Sequence, residues 1–251
     1  MSTALITGAS AGLGVEFVKA VLQSMPEIDN FWLVARRKER LEEISANLPK
    51  GKTSNCIAAD ISCSAGWDIL KAELSEKNPD VALLINCAGV GRMDNFADSD
   101  LETQVNMVNL NVAGLTAVTS LVLPYMKSGA RILNASSIAS FCPNTRMTVY
   151  SSTKAYVSFF SRGLGMELKE RGISVTAVCP GPMDTEFLGI AAIKSKTFDM
   201  LPHTSPEKVA VGSVKAAIKR KAVYTPGGFF KFYRVVAKIL PQRLMAHLAK
   251  T

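Results

Sequence analysis

The chain has 251 residues, of which 48% are hydrophobic and 20% charged, a balance that fits one large globular domain and excludes a disordered chain. Ten of its 29 basic residues lie in residues 208–251, a segment that contains no Asp or Glu. Residues 1–207 therefore hold 19 basic and 21 acidic residues. The net charge of +8 therefore belongs to the C-terminal end, which argues against a nucleic-acid partner, and the two distant histidines give no reason to expect a metal.

The N-terminal residues predict no targeting or membrane segment. Ser2–Thr7 has the pattern of a strand that enters a glycine-rich turn, without the basic and long apolar regions of a signal peptide. No run of about 18 uncharged apolar residues predicts a spanning helix. The five cysteines are odd in number and form no CxxC pair, which favours reduced thiols. We therefore expect a cytoplasmic protein.

Short apolar runs alternate with longer amphipathic stretches, the pattern of a parallel sheet with crossover helices. The predicted strands are Ala4–Thr7, Phe31–Val34, Asn55–Ala58, Val81–Asn86, Arg131–Ala135, Ser174–Cys179 and Val223–Thr225. The predicted helices are Leu13–Gln23, Arg37–Asn47, Ala65–Glu76, Leu101–Met126, Ser151–Arg171 and Pro206–Ile218. We expect an α/β fold: a single doubly wound Rossmann-type domain over residues 1–225 with a seven-stranded, mainly parallel sheet, and a helical C-terminal extension over residues 226–251.

A glycine-rich turn lies between the first predicted strand and the first predicted helix. Gly8 permits a tight turn, Gly12 lets the backbone approach a pyrophosphate, and Gly14 lets the helix pack close to the sheet. The helix N-terminus would then hold the pyrophosphate. A turn without a ligand is the alternative, but the position of this turn in an α/β pattern favours a dinucleotide. The residues assigned to the cofactor here are Gly8, Ser10, Ala11, Gly12, Leu13 and Gly14.

The end of the second predicted strand indicates which dinucleotide binds. NAD-binding proteins usually place a carboxylate there, about 20 residues beyond the glycines, to bind the ribose 2′-OH. This chain has Arg36 and Arg37 at that place, and an arginine pairs with the 2′-phosphate that a carboxylate would repel. Two solvated arginines are the alternative, although cations are unfavourable in a first helical turn. The sequence therefore predicts NADP(H).

Three polar residues could supply the chemistry of carbonyl reduction. Tyr150 can donate a proton to the oxygen that gains negative charge as hydride arrives. Lys154 lies on the same helix face, and its ammonium is expected to lower the pKa of the tyrosine. The Ser137 hydroxyl can orient the substrate oxygen. Each could be an ordinary surface or core-edge residue, but their combination behind a nucleotide-binding turn favours catalysis.

The order and spacing of these residues resemble the short-chain dehydrogenase/reductase family. Tyr150 and Lys154 form a YxxxK motif, and Ser137 lies thirteen residues before the tyrosine. Asn111 begins a segment that resembles the family's NxxG, so the resemblance implies that it completes a catalytic tetrad and holds a water that links Lys154 to solvent. The resemblance also implies that Lys154 bonds the nicotinamide ribose.

Further cofactor contacts follow from the resemblance alone. They are Asp60 and Ile61 near the adenine, Asn86, Ala88 and Gly89 after the fourth strand, Pro180, Gly181, Met183 and Thr185 at the nicotinamide end, and Tyr150 with Lys154. Cys87 departs from the family's NNAG pattern, and the C-terminal end departs from the common family ending, which leaves the substrate open. The resemblance implies a homodimer or homotetramer, with the helices that begin at Leu101 and Ser151 at the interface.

These features predict an NADP(H)-dependent oxidoreductase that interconverts a ketone and a secondary alcohol. The loop Met183–Thr204 is expected to cover the pocket, and its apolar residues favour a bulky substrate such as a steroid or a ketoacyl compound. Those residues are Phe187, Leu188, Ile190, Ile193 and Phe198. The alternative is a nucleotide-binding regulatory or scaffold member of the family without turnover, and the presence of both Tyr150 and Lys154 favours the enzyme.

The C-terminal residues predict two short amphipathic helices separated by Pro241. The predicted apolar stripes are Phe229, Phe232, Tyr233, Val236 and Leu240 in the first helix and Leu244, Met245 and Leu248 in the second. The basic stripes are Lys231, Arg234 and Lys238 in the first and Arg243, His247 and Lys250 in the second. Such stripes can pack beside the active site, seal a subunit interface or contact an anionic membrane. We expect the apolar stripe to border the substrate pocket, with peripheral membrane contact as the minor alternative.

Overall fold

A parallel sheet forms the centre of the molecule, whose computed structural model describes residues 1–191, 198 and 200–248. The strands are β1 (Ser2–Thr7), β2 (Asn30–Ala35), β3 (Thr53–Ala58), β4 (Asp80–Asn86), β5 (Arg131–Ala135), β6 (Ser174–Val178) and β7 (Val223–Tyr224). Their order in the sheet is β3-β2-β1-β4-β5-β6-β7. Every neighbouring pair is parallel, rather than most pairs as predicted, because helices connect each strand to the next.

The helices follow the predicted order, and their ends agree with the prediction within a few residues except in one place. They are α1 (Gly12–Ser24), α2 (Lys38–Ala46), α3 (Ser64–Lys77), α4 (Leu101–Val108), α5 (Leu115–Val122), α6 (Thr148–Glu167), α7 (Glu186–Ile190), α8 (Pro206–Ile218), α9 (Gly228–Ile239) and α10 (Gln242–Leu248). The short α7 lies in the loop that was expected to cover the pocket. The predicted residue Ile193 of that loop lies outside the described residues.

The single helix predicted over Leu101–Met126 is wrong in detail, because the structure divides it. A π-helical turn, Asn109–Gly114, separates α4 from α5, and a 3-10 turn that contains Pro124 follows α5. Gly114 lies so close to the neighbouring backbone that an added Cβ would be 2.5 Å from the carbonyl oxygen of Ile61. A π-turn is wider than an α-turn, so it changes which residues face inward without interrupting the apolar pattern that the prediction used.

Alternate residues of the strands point into two hydrophobic cores, one on each face of the sheet. In β1, Ala4 and Ile6 pack in the core that holds α1, α2 and α8. Leu5 lies between them and packs in the opposite core with α3 and α5. Helices therefore cover both faces, and the predicted doubly wound Rossmann-type α/β fold is confirmed.

The helical run Leu101–Tyr125 is, by length and composition alone, apolar enough to cross a membrane. In the structure α5 contacts α3 and β4, and α4 contacts α6. Val118 and Val122 of α5 are fully buried in one of the two sheet-face cores. These contacts account for only part of the apolar character of the run, because Leu101, Val105 and Val108 of α4 are exposed.

The C-terminal helices pack on the domain through only part of the predicted apolar stripe. Phe230 and Ala237 of α9, which lie outside the predicted stripe, are buried, whereas Phe229 and Phe232 of that stripe are 53% and 69% exposed. The predicted stripe is wrong in part, because apolar residues lie on both broad faces of α9 and periodicity does not identify the packed one. Tyr233, Val236 and Leu240 do pack inward, against Phe141 and the buried Cys142 and Met245.

The other predicted tail residues divide in the same way. Leu244 is 44% exposed rather than packed, and Arg234 of the predicted basic stripe turns to the domain, where its guanidinium donates a hydrogen bond to Thr225 Oγ1 at 3.2 Å. The side chain of Leu248 and all of Lys250 lie outside the described part of the chain. The division of the chain into residues 1–225 and 226–251 stays a prediction.

Candidate active site

The carboxyl ends of β1 and β4 form the centre of the candidate site. These strands are neighbours in the sheet, but α1 and α5, which follow them, lie on opposite faces. Such a reversal leaves a crevice beyond the strand ends, where ligands of open α/β sheets bind. The Thr7 hydroxyl joins the two strand ends by accepting hydrogen bonds from the backbone N–H groups of Cys87 (3.1 Å) and Ala88 (3.2 Å).

The glycine-rich turn has the close backbone contacts that a dinucleotide cradle requires. Gly8 and Gly12 have φ values of +68° and +50°, in the left-handed region that disfavours other residues. An added Cβ on Gly8 would be 2.8 Å from the backbone of Ala88, and one on Gly14 would overlap the carbonyl of Gly8. Side chains at these positions would therefore clash with the neighbouring backbone. This geometry agrees with the sequence argument that the turn requires glycines.

Two arginines lie at the end of β2, as the sequence indicated. Arg37 Nη2 is 3.3 Å from Ser10 Oγ in the glycine-rich turn and 3.6 Å from the carboxylate of Glu186. Arg36 Nη1 is 3.8 Å from Asp60 Oδ2. Both arginines line the same cavity as the glycines. Glu186 is a neighbour that the sequence did not indicate, since it comes from the start of α7.

Asp60 lines the cavity together with Ile61. Its carboxylate accepts hydrogen bonds from Ser62 N at 2.9 Å and from Ser62 Oγ at 2.7 Å. Partial burial raises the pKa of Asp60, but the Ser62 hydrogen bonds and the charge of Arg36 outweigh that effect and hold the pKa below its usual value. Asp60 is therefore an anion that braces its own loop and Arg36.

The three predicted chemical groups lie together at the other end of the cavity. Ser137 follows β5, and Tyr150 and Lys154 lie one turn apart on α6, so all three side chains border one space. Lys154 Nζ donates to the carbonyl oxygen of Ala135 at 2.9 Å and lies 5.7 Å from the centre of the Tyr150 ring. Tyr150 and Lys154 are only 8% and 6% exposed, so both titratable groups lie in a region of low polarity.

Burial changes the expected effect of Lys154 on Tyr150. The sequence predicted a lowered pKa for the tyrosine, but burial raises the pKa of Tyr150 to about 12, and a hydrogen bond with Ser137 offsets only part of the rise. Burial also lowers the pKa of Lys154 to about 8, because the charged ammonium loses its hydration. The prediction considered the charge and omitted desolvation. Tyr150 is therefore a protonated phenol at neutral pH, as a proton donor must be.

Asn111 lies in the π-helical turn and supports the site through hydrogen bonds to residues beside the cavity. Its Oδ1 accepts from Val90 N at 2.9 Å, and its Nδ2 donates to the Val90 carbonyl at 2.8 Å and to Thr153 Oγ1 at 3.0 Å. Oδ1 of Asn111 and Nζ of Lys154 flank Gly89, where an added Cβ would lie 3.1 Å and 3.2 Å from them. The side chain joins the β4 loop to α6 and does not line the cavity, so its role in a water relay stays a prediction.

Asn86 is the predicted cofactor residue that the structure places elsewhere. Its Nδ2 donates to Thr119 Oγ1 at 3.0 Å and to Asn134 Oδ1 at 2.9 Å, and only 3% of its surface is exposed. Ala88 and Gly89, which lie two and three residues later, line the cavity, but Asn86 does not. The difference arises because Asn86 is still within β4, whereas its successors belong to the loop.

The cavity that these groups share has a volume of about 680 Å³. Apart from Asn86 and Asn111, it is lined by every residue that the sequence assigned to the cofactor or to catalysis, including Pro180, Gly181, Met183 and Thr185. Of the predicted loop residues, Phe187, Leu188 and Phe198 line it, and the side chain of Ile190 lies outside the described residues. Phe187 packs on Tyr150 with the ring centres 5.8 Å apart.

Several lining residues carried no recognisable signal in the sequence. They are Asn144 and Met147, from the loop between Ser137 and Tyr150, and Phe230 from the tail. Four members of the predicted apolar stripes also line the cavity, as expected of a tail that borders the pocket: Phe229, Tyr233, Val236 and Met245. Cys142 does not line the cavity, and its Sγ lies 2.8 Å from the Tyr233 hydroxyl. In the described part of the chain, no group of three or more His, Cys, Asp or Glu could hold a metal.

The chain is similar to known reductases and dehydrogenases. The chain is similar to the very-long-chain 3-oxoacyl-CoA reductase of Rattus norvegicus, at 31% identity over 244 residues that cover 94% of this chain and 73% of that protein. It is also similar to a short-chain dehydrogenase from Sphingobium yanoikuyae in complex with NADPH (27% identity, TM-score 0.80, 96% and 97% of the two chains). A third similar structure is the bulky-bulky ketone specific alcohol dehydrogenase from Comamonas testosteroni (26% identity, TM-score 0.78, 98% and 94% of the two chains).

A family model described as short chain dehydrogenase matches residues 2–193, which include the glycine-rich turn, Ser137, Tyr150 and Lys154. This match and the similarity to the rat reductase show that the chain belongs to the short-chain dehydrogenase family of oxidoreductases.

Proposed function

We propose that this oxidoreductase uses NADP(H) to interconvert a bulky apolar ketone and its secondary alcohol. One observation carries the proposal: Ser137, Tyr150 and Lys154 share one cavity with a glycine-rich turn and two arginines. A regulatory or scaffold protein would have no need for a buried, protonated tyrosine beside a lysine in such a cavity. A panel of ketones with NADPH, followed at the nicotinamide absorbance band, tests the proposal.

The catalytic residues would handle the proton and orient the substrate. When bound, NADPH supplies the hydride for the carbonyl carbon. The carbonyl oxygen would lie between the hydroxyls of Ser137 and Tyr150, where Ser137 orients it and Tyr150 donates the proton that the developing alkoxide requires. Lys154, with its pKa of about 8, carries a positive charge at neutral pH that favours loss of the tyrosine proton at that moment.

The residues at the cofactor end fit NADP(H). The cavity wall at the end of β2 presents Arg36 and Arg37 and no carboxylate from β2 itself, although Asp60 and Glu186 pair with them. Both pairs are exposed and have N–O distances of 3.6–3.8 Å, so they hold the guanidinium groups weakly. A 2′-phosphate, with its greater charge, would compete well for these groups. The NADPH complex of the Sphingobium yanoikuyae enzyme supports the same choice.

Replacing both Arg36 and Arg37 with Ala is expected to weaken NADPH use by about ten- to a hundredfold in kcat/KM and to leave NADH use nearly unchanged, since charge-assisted hydrogen bonds to the phosphate are lost. Steady-state kinetics with both cofactors measure this change. Arg40→Ala is the matched control, because Arg40 lies in the first turn of the helix that follows them, pairs with Glu43 at 3.3 Å and does not line the cavity. An equal loss with both cofactors would contradict the assignment.

The substrate end favours a bulky apolar compound. Phe187, Phe198, Met147, Phe229 and Val236 line it, so a small ketone would leave much apolar surface without contact. The Rattus norvegicus relative acts on very-long-chain 3-oxoacyl-CoA and the Comamonas testosteroni relative on bulky-bulky ketones, which supports a large substrate here.

A change from Val236 to Phe is expected to lower kcat/KM for bulky ketones by about tenfold and to spare small ketones, because the added ring fills space in the cavity. The same change at Val235 is the control, since Val235 is 51% exposed and absent from the cavity lining. Kinetics on a series of ketones of increasing size with both variants give the comparison. If Val236→Phe affects ketones of every size equally, α9 does not border the substrate.

Two broader features of the protein belong to the same proposal. Exposed apolar side chains occur together on α4 and α6, which contact each other: Leu101, Val105, Val108, Tyr156, Phe159 and Met166. This surface supports a homodimer or homotetramer built through these helices. All five cysteines are free, which supports a reducing, cytoplasmic location.

A further inference from the structure

Helix α9 presents a second apolar face that nothing in the described part of the chain covers. Phe232, Val235 and Ile239 occupy successive turns of this face and are 69%, 51% and 75% exposed. The opposite face of the same helix is buried through Phe230 and Ala237. A helix that is apolar on both broad faces is normally covered on both, so the outward face needs a partner.

The charges beside this face are all positive. Lys231 and Lys238 lie seven residues apart along one edge of the face, and Arg243 follows in α10; all three are exposed. None of them forms an ion pair with a described carboxylate, and residues 208–251 contain no Asp or Glu. The partner that this surface fits is therefore apolar and negatively charged.

A second copy of the chain fits this surface poorly. In a symmetric dimer the same patch meets itself, so Lys231 and Lys238 would face their own copies with no carboxylate between them. Like charges across an interface oppose association. An anionic lipid surface matches both features, because phenylalanine and isoleucine enter the acyl boundary while lysines remain at the headgroups.

The same face continues to the rim of the substrate cavity. Phe229 lies one turn before Phe232, lines the cavity and is 53% exposed. The outward apolar surface and the apolar end of the cavity are thus joined by one aromatic ring. A molecule dissolved in a bilayer would meet the cavity without crossing water.

We infer that the outward face of α9, with Phe232, Val235 and Ile239 at its centre and Lys231 and Lys238 at its edge, docks on the surface of an anionic lipid bilayer. Docking places the cavity rim at the membrane, which would supply apolar ketones to the active site. The supply of substrate rests on the proposed function, whereas the docking itself does not.

Sedimentation of the full-length protein with vesicles tests the docking. Vesicles of phosphatidylcholine mixed with phosphatidylglycerol are expected to bind the protein, vesicles of phosphatidylcholine alone to bind much less, and added salt to weaken binding. Lys231→Ala/Lys238→Ala should reduce binding by about fivefold for each lysine removed. Phe232→Ser should reduce it by about tenfold or more, because the ring leaves the acyl boundary.

Phe96→Ser is the matched control, because Phe96 is 63% exposed, similar to Phe232, and lies in a different part of the fold. It should bind vesicles as the unchanged protein does, and circular dichroism and Tm should show that all variants fold. Failure of the unchanged protein to bind anionic vesicles, or equal binding by Phe232→Ser, overturns the inference. So does a change of native mass in Phe232→Ser, which would make the face a subunit interface.

The two proposals fail separately. Vesicle binding needs neither cofactor nor turnover, so a protein that binds vesicles and reduces no ketone would refute only the proposed function. A protein that reduces ketones in solution and ignores vesicles would refute only the docking.

Discussion

Replacing Tyr150 with Phe is expected to lower ketone reduction by about 10³-fold or more, within the range that general acids contribute. The change removes only the hydroxyl. The ring would keep its packing against Phe187, whose centre is 5.8 Å away, and its place in the apolar cluster with Met93 and Met147. We therefore expect NADPH affinity, measured by fluorescence titration, to remain within about twofold of the original.

Tyr156→Phe provides a closely matched control for that experiment. Tyr156 lies on the same helix α6, but its hydroxyl pairs with Thr116 at 2.8 Å and it does not line the cavity. Loss of the Tyr156 hydroxyl should leave turnover nearly unchanged. Near-normal turnover in Tyr150→Phe would refute the assignment of the proton donor, whatever the cofactor affinity shows.

Lys154→Met is expected to reduce turnover by about 10²-fold while it stabilises the fold. The turnover falls because Tyr150 loses its cationic neighbour and the cofactor loses a predicted contact. The fold gains because the ammonium of Lys154 is buried, with the Ala135 carbonyl as its hydrogen-bond acceptor at 2.9 Å. Removal of a buried cation with a pKa of about 8 should raise the free energy of unfolding at pH 7 by about 2 kcal/mol, after loss of that hydrogen bond.

The pH dependence of stability distinguishes this cause from simple repacking. Lys154 has a pKa of about 8 in the folded protein against an ordinary lysine pKa of 10.5, so the folded state binds fewer protons between those values. The cost of the buried charge is complete below pH 8, decreases as the pH rises toward 10.5 and is absent above it. The stability advantage of Lys154→Met should therefore shrink over that range.

Denaturant unfolding at a series of pH values measures this advantage directly. Lys71→Met on α3 is the control, because Lys71 is exposed and should change stability by less than about 0.5 kcal/mol. A constant advantage of Lys154→Met across the pH range would show that burial of the charge is not its cause.

The features that the sequence predicted well depend on local geometry. The turn from Gly8 to Gly14 requires particular backbone angles that few residues other than glycine adopt, so the residue types themselves indicate the structure. Tyr150 and Lys154 share a helix face through a fixed spacing. The central strands were recognisable because both of their faces are buried and they carry apolar runs, such as Val81–Ile85 in β4.

The features that the sequence did not predict depend on contacts and burial that arise between residues far apart in the sequence. The inward side of α9 follows from a glycine at 181 that admits Phe230, which no local pattern indicates. The direction of Asn86 depends on Thr119 and Asn134, which come from distant parts of the chain. The raised pKa of Tyr150 depends on total burial, and spacing along a helix says nothing about desolvation.

The contact between Gly181 and Phe230 limits which segments related enzymes can exchange in a chimera. The ring of Phe230 occupies the space that a Cβ on residue 181 would fill, so the loop after β6 and the first turn of α9 form one matched unit. A chimera that took its tail from a relative with a side chain at 181 would inherit a helix shaped for a different surface. Both segments would have to be transplanted together for the substrate end of the cavity to keep its shape.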